Sequence, residues 1–147
     1  MSKFHFRYQN LLEVKARYED SKKIKLSEAK KRLEDEKEKL ADFKLDKENN
    51  EQYMCEKIQE GTNIAHLKIF HSYVNHLNQK INEQRITVEQ CSQEVAKTRK
   101  ELLIASQEKK VFEKLKEKEM NLFKLAEKKA EDLLLDQLVT YKNFKRN

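Results

Sequence analysis

Apolar residues recur along this chain at alternating steps of three and four, and that rhythm predicts two long helices. In the first half, Leu12, Leu26, Leu33 and Leu40 share one seven-residue grid, with Glu19 in the position between Leu12 and Leu26. Tyr8, Ala29 and Phe43 fall on the companion grid, which Lys15, Lys22 and Glu36 dilute. The second half is cleaner: Leu77, Ile81, Gln84, Val88, Cys91, Val95, Thr98, Leu102, Ala105 and Phe112 follow one another at the same steps. An average spacing of 3.5 is the mark of a left-handed coiled coil. Beyond Phe112 the stripe continues less regularly through Leu115, Leu122, Phe123, Ala126, Ala130 and Leu133.

The interruption between the halves is equally legible. Gly61 is the only glycine in 147 residues and proline is absent. Glycine takes the left-handed conformation that closes a helix, and Thr62 or Asn63 can cap the next one. The expected fold is all-α: a single antiparallel two-helix coiled-coil hairpin over residues 1–147, with helices over about 4–59 and 63–143 and a turn at 60–63. The arms are unequal. Counting from Gly61 at the helical rise of ~1.5 Å per residue, residue 4 faces about residue 118. Tyr8 is then expected beside Phe112, and the last stretch overhangs or bends back. Leu122, Phe123, Leu125, Leu133, Leu134, Leu135, Leu138, Val139, Tyr141 and Phe144 are expected to stay exposed there, which marks a binding surface or a self-association surface.

Composition narrows the function classes. Charged residues make up 39% of the chain and hydrophobic ones 37%, which suits the thin apolar seam of a coiled coil better than a globular core. The apolar periodicity argues against disorder. Net charge is +6, unevenly spread: residues 1–33 carry +6, residues 34–66 carry −5 and residues 95–147 carry +5. The arm entering the turn is therefore acidic, and the two segments expected at the open end are basic. Cys55 and Cys91 lack metal-ligand spacing, and no signal peptide or membrane span is visible, so reduced thiols in a cytoplasmic protein are expected.

Catalytic and cofactor chemistry find no footing in the residues. One glycine cannot build a phosphate loop. His66, His71 and His76 step by five and so do not share a helix face as metal ligands would. The carboxylates alternate with lysines, as in Glu34-Asp35-Glu36-Lys37-Glu38-Lys39, which is the pattern of a solvated helix face. A two-helix hairpin offers no pocket to desolvate a reacting group. No catalytic, metal or cofactor-binding residue is expected. The basic pairs are mixed with acids and match no nucleic-acid module, so no nucleic-acid partner is expected.

The opening Phe4-His5-Phe6-Arg7-Tyr8-Gln9-Asn10-Leu11-Leu12-Glu13-Val14-Lys15 resembles the start of the flagellar export protein FliJ family, commonly F-x-F-x-L-Q-x-L-L-x-x-K, with Tyr8 in place of leucine. Phe70, Tyr73, Val74, Leu77, Ile81 and Gln84 resemble the family's aromatic and aliphatic stretch after the bend. Lys114-Leu115-Lys116-Glu117-Lys118 and Leu135-Asp136-Gln137 resemble its L-K-E-K and L-D-E segments, with Gln137 replacing a glutamate. The resemblance implies a stalk similar to the γ subunit of rotary ATPases. Such a stalk binds the hexameric ring of the flagellar export ATPase, links it to the cytoplasmic linker of the transmembrane export gate, and interacts with export chaperones. It implies a cytoplasmic protein, peripheral at the inner face of the cell membrane and associated with the membrane only through the gate. Matched onto this chain, the resemblance assigns Phe70, Tyr73 and Leu77 to gate binding. The reading of the open end assigns Phe4, Phe6, Leu122, Phe123, Leu133 and Asp136 to the ATPase ring. Leu77 also lies on the seam grid, so a purely structural role stays open. Two alternatives also remain: a generic structural coiled coil pairing as a cytoskeletal or stator-type dimer, and a peripheral membrane helix over 119–147.

Overall fold

The computed structural model describes residues 3–146 and contains two helices, α1 (Gln9–Glu60) and α2 (Ile64–Arg146), with no strand among the described residues. The chain is an all-α helical hairpin. The reversal works as its residues dictate: Gly61 has φ 94°, its amide donates to the Ile58 carbonyl, and three residues complete the turn. Of the two candidate caps it is Asn63 that acts, its side-chain oxygen accepting from the His66 amide at 2.9 Å. That satisfies one of the donors every helix start leaves unpaired.

The start of α1 differs from expectation. The helix begins at Gln9, not near residue 4. A turn carries the chain into it, with the Gln9 amide donating to the Phe6 carbonyl and the Leu12 amide to the Tyr8 carbonyl. The cause is visible in the spacing. Phe4, Phe6 and Tyr8 alternate with polar residues, and a period of two puts side chains on one side only when the backbone is not helical. The packing gained by Phe6, which is 4% exposed, outweighs about one and a half further helical turns at a frayed end.

The chain divides into two compact units, one of Ser21–Leu102 and one of Met1–Asp20 with Leu103–Asn147. In the first, which contains the bend, Leu77, Ile81, Cys91 and Val95 of α2 are buried against half-buried Leu26, Leu33, Leu40 and Phe43 of α1. Thr98 is buried on the same stripe and turns its hydroxyl back to the Glu94 carbonyl of its own helix at 2.8 Å. Gln84 donates across the seam to the Glu36 carbonyl at 3.0 Å and to the Glu36 carboxylate. Lys22 pairs with Glu101 at 2.9 Å.

In the second unit, Ala105 is fully buried and the N-terminal aromatics close over α2. Tyr8 stacks edge-on to Phe112 at 6.3 Å between centroids, and Phe4 meets Phe123 at 5.6 Å. The expected meeting of Tyr8 with Phe112 is realised. Residue 4 reaches Phe123, beyond the expected residue 118, because non-helical backbone advances up to ~3.3 Å per residue against ~1.5 Å for helix. Beyond Phe123, α2 runs as unbroken helix to Arg146.

Candidate functional site

Heptad spacing forces four charged residues of α1, Lys15, Glu19, Lys22 and Glu36, onto its seam face, and each finds a partner on α2. Within the terminal unit Lys15 pairs with Glu108 at 2.9 Å, and Glu19, only 6% exposed, pairs with Lys109 at 3.3 Å. Hydrogen bonding to Glu19 raises the Lys109 ammonium above its ordinary pKa. In the bend unit the Lys22 ammonium holds the Glu101 carboxyl below the usual range. Gln84 does the same to Glu36. These side chains select a register.

The residues assigned to gate binding lie together on α2 of the bend unit but differ in access. Tyr73 is exposed and donates its hydroxyl to Asp46 Oδ2 at 2.9 Å. That bond stabilises the neutral phenol and raises its pKa. Phe70 is half-buried, its ring 5.3 Å from that of Tyr53. Leu77 is 3% exposed and belongs to the seam, so any surface here is presented by Tyr73 and the rim of Phe70, with Leu77 as its footing. Sequence reasoning missed Tyr53 and Asp46. Both could have been found by pairing positions across Gly61, since Tyr53 mirrors Phe70 and Asp46 mirrors Tyr73 within a few residues.

The residues assigned to the ATPase ring separate into two groups. Phe4, Phe6 and Phe123 are engaged with one another and with Tyr8 and Phe112. Phe6 is buried, and Phe4 and Phe123 are half-buried. Leu122, Leu133 and Asp136 are exposed. Leu125, Leu134, Leu135, Leu138, Val139, Tyr141 and Phe144 join them, each at least half exposed, with Phe144 at 81%. This stretch of α2 is apolar over much of its circumference, which helices bared to water rarely are.

Grooves along the helices are lined mainly by charged side chains, as at Lys22, Lys25, Arg32, Glu94, Lys97 and Glu101, whereas the concavity at the bend is lined by Tyr53, Lys57, Thr62, Asn63, His66 and Phe70. Among the described residues no group of three potential ligands could hold a metal ion, and no helix is long and apolar enough to cross a membrane. Cys55 is exposed and Cys91 buried, both as free thiols.

A helical hairpin with a polar-pinned seam and a bare apolar tail belongs to the class of coiled-coil proteins that work through their faces. Within that class the assignment is specific: residues 4–147 match the family model described as Flagellar FliJ protein, and the chain belongs to that family. It is 27% identical over 135 residues to the Flagellar FliJ protein of Bacillus subtilis (strain 168), covering 92% of each chain. No solved structure matches it. The family is a non-enzymatic component of flagellar export, and membership makes this chain part of the flagellar export apparatus.

Proposed function

We propose that the protein is a non-enzymatic stalk and adaptor of flagellar type III export. In this reading it grips the hexameric export ATPase through its terminal unit and contacts the cytoplasmic linker of the export gate through the Phe70–Tyr73 face. Export chaperones are further partners, and the protein works in the cytoplasm at the inner face of the cell membrane. The observation that carries the reading is the bare tail of α2. Leu122, Leu125, Leu133, Leu134 and Leu135 each expose more than half of their surface, and a soluble protein leaves such a run open only where a partner covers it. The face around Tyr73 adds an aromatic anchor of the kind enriched at interface hot spots.

The test is truncation. Because Phe123 packs on Phe4, removal of residues 124–147 spares the N-terminal packing. The truncated chain is expected to stay helical and to lose stimulation of the purified export ATPase. Normal stimulation would remove the tail from the ring contact. In parallel, Tyr73→Ala is expected to weaken binding to the gate linker with helicity unchanged; unaltered affinity moves that site elsewhere.

A further inference from the structure

We propose that the tail of α2 pairs with the same segment of a second copy of this chain, as an antiparallel two-helix coil centred between Leu133 and Leu134. The dimer is a state of the free chain: the ring contact proposed above uses the same tail, so the two occupants exclude one another and the second copy leaves before the ring engages. The argument starts from continuity. The three-and-four step that carries Phe112 and Phe123 under the N-terminal aromatics does not stop there. It runs on as Ala126, Ala130, Leu133, Gln137, Thr140 and Phe144, one half of a seam whose other half the described residues leave vacant: Leu133 is 61% and Phe144 81% exposed. At about 100° per residue, the stripe from Leu122 to Phe144 occupies an arc of roughly 120° that contains no charged side chain.

The stripe is complementary to its own reversal. With the two-fold axis between Leu133 and Leu134, these leucines meet at the centre. Ala130 faces the partner's Gln137, Ala126 faces the partner's Tyr141, Phe123 faces the partner's Phe144, and at the rim Thr140 faces the partner's Glu127. The two alanines thus oppose larger residues, while leucine meets leucine at the centre and Phe144 meets the free rim of the partner's Phe123, whose other side rests on that copy's Phe4.

The charges agree with that arrangement. In an antiparallel pair each flank of the stripe faces the same flank of the partner. On one flank, Lys129 comes within about 3 Å, measured along the axis, of the partner's Asp136. On the other, Glu127 lies about 7.5 Å along the axis from the partner's Lys145, within reach of a lysine stem. Lys145 now rests over the ring of its own Tyr141 at 5.6 Å. Two-fold symmetry doubles each contact. A parallel pair would instead set Lys129 and Asp136 against the opposite flank, where Leu134 and Tyr141 stand five residues on, and would form neither ion pair.

The test exploits symmetry, using the full-length chain under reducing conditions so that Cys55 cannot cross-link. Sedimentation velocity across micromolar concentrations is expected to show a reversible monomer–dimer equilibrium for the wild type. Lys129→Glu and Asp136→Lys each place like charges opposite one another twice and are expected to weaken the dimer about tenfold. Mixed together, the two variants restore both ion pairs in the heterodimer and recover wild-type affinity. Leu134→Asp is expected to abolish the dimer while the hairpin stays helical by circular dichroism. Failure of the mixture to recover affinity would overturn the antiparallel arrangement. A wild type that remains monomeric throughout, including one that binds the export ATPase through this tail, would give the face to another occupant and overturn the proposal.

Discussion

The two units of the hairpin share one heptad rhythm and use it differently. In the bend unit the α2 side of the seam buries Leu77, Ile81, Cys91 and Val95 to between 3% and 6% exposure over about five turns, with Gln84 as the polar member among them. In the terminal unit the α1 side offers Glu19 on the leucine grid and Lys15 on the companion grid, and tight packing comes from Ala105 and from Phe6 outside the helix. Apolar seam positions supply stability but tolerate slippage by a heptad, since every seventh residue looks alike. Charged ones add little net stability and single out one alignment. Both units carry charged seam residues, Lys22 and Glu36 in the first and Lys15 and Glu19 in the second, but of these four only Glu19 is buried. The contrast assigns apolar stability chiefly to the first unit and the most deeply buried alignment pair to the second.

Five experiments would break or sharpen that contrast. Leu77→Ala or Ile81→Ala is expected to have the largest effect, about 2–3 kcal/mol lost by urea unfolding. Hydrogen exchange should rise first within residues 21–102; a loss below about 0.5 kcal/mol would mean that the seam relaxes around the cavity. Next, Phe6→Ala is expected to free the N-terminal segment at about 2 kcal/mol of local stability. Proteolysis before residue 9 should accelerate, with little change in exchange across the bend unit.

Glu19→Leu is expected to act in the opposite sense. A buried ion pair traded for an apolar contact leaves the melting temperature unchanged or higher. Spin labels on exposed Arg17 and Lys110, with Cys55 and Cys91 replaced by alanine, should then report a broader distance distribution. A single sharp distance in this variant would deny Glu19 its role in alignment.

The smallest effects are electrostatic and belong to the bend unit. Glu36 has its pKa lowered chiefly by Gln84. Its contribution is therefore present above the unfolded-state carboxyl pKa and is lost as pH falls through the folded value. Gln84→Ala should narrow the difference in stability between neutral and acid conditions, read by thermal melts at each pH. Tyr73 shifts the other way, raised first by its hydrogen bond to Asp46. That contribution is full below the unfolded phenol pKa and disappears as pH rises through the folded one. Asp46→Asn should bring the phenol back toward its ordinary value in an ultraviolet titration.

Leu12, Leu26, Leu33 and Leu40, with Glu19 among them, announce the face of α1 because a side chain's place on a helix depends only on its number. The same arithmetic carries α2 from Leu77 to Phe112 and foretells the bare apolar tail. Gly61 announces the reversal because no other residue in the chain readily takes a positive φ. Family resemblance was likewise readable from the opening aromatics and the stretch around Tyr73. Local spacing could not say that Phe4 and Phe6 leave the helix to cover Phe112 and Phe123, although their period of two was a hint. Nor could it say that Asn63 caps in preference to Thr62, that Lys109 answers Glu19, or that Asp46 holds Tyr73. Those outcomes depend on which residues of the other helix arrive opposite, and that alignment exists only once both helices have formed and closed on each other. Periodicity is a property of one strand of sequence; pairing is a property of two, and only the folded chain brings the second into place.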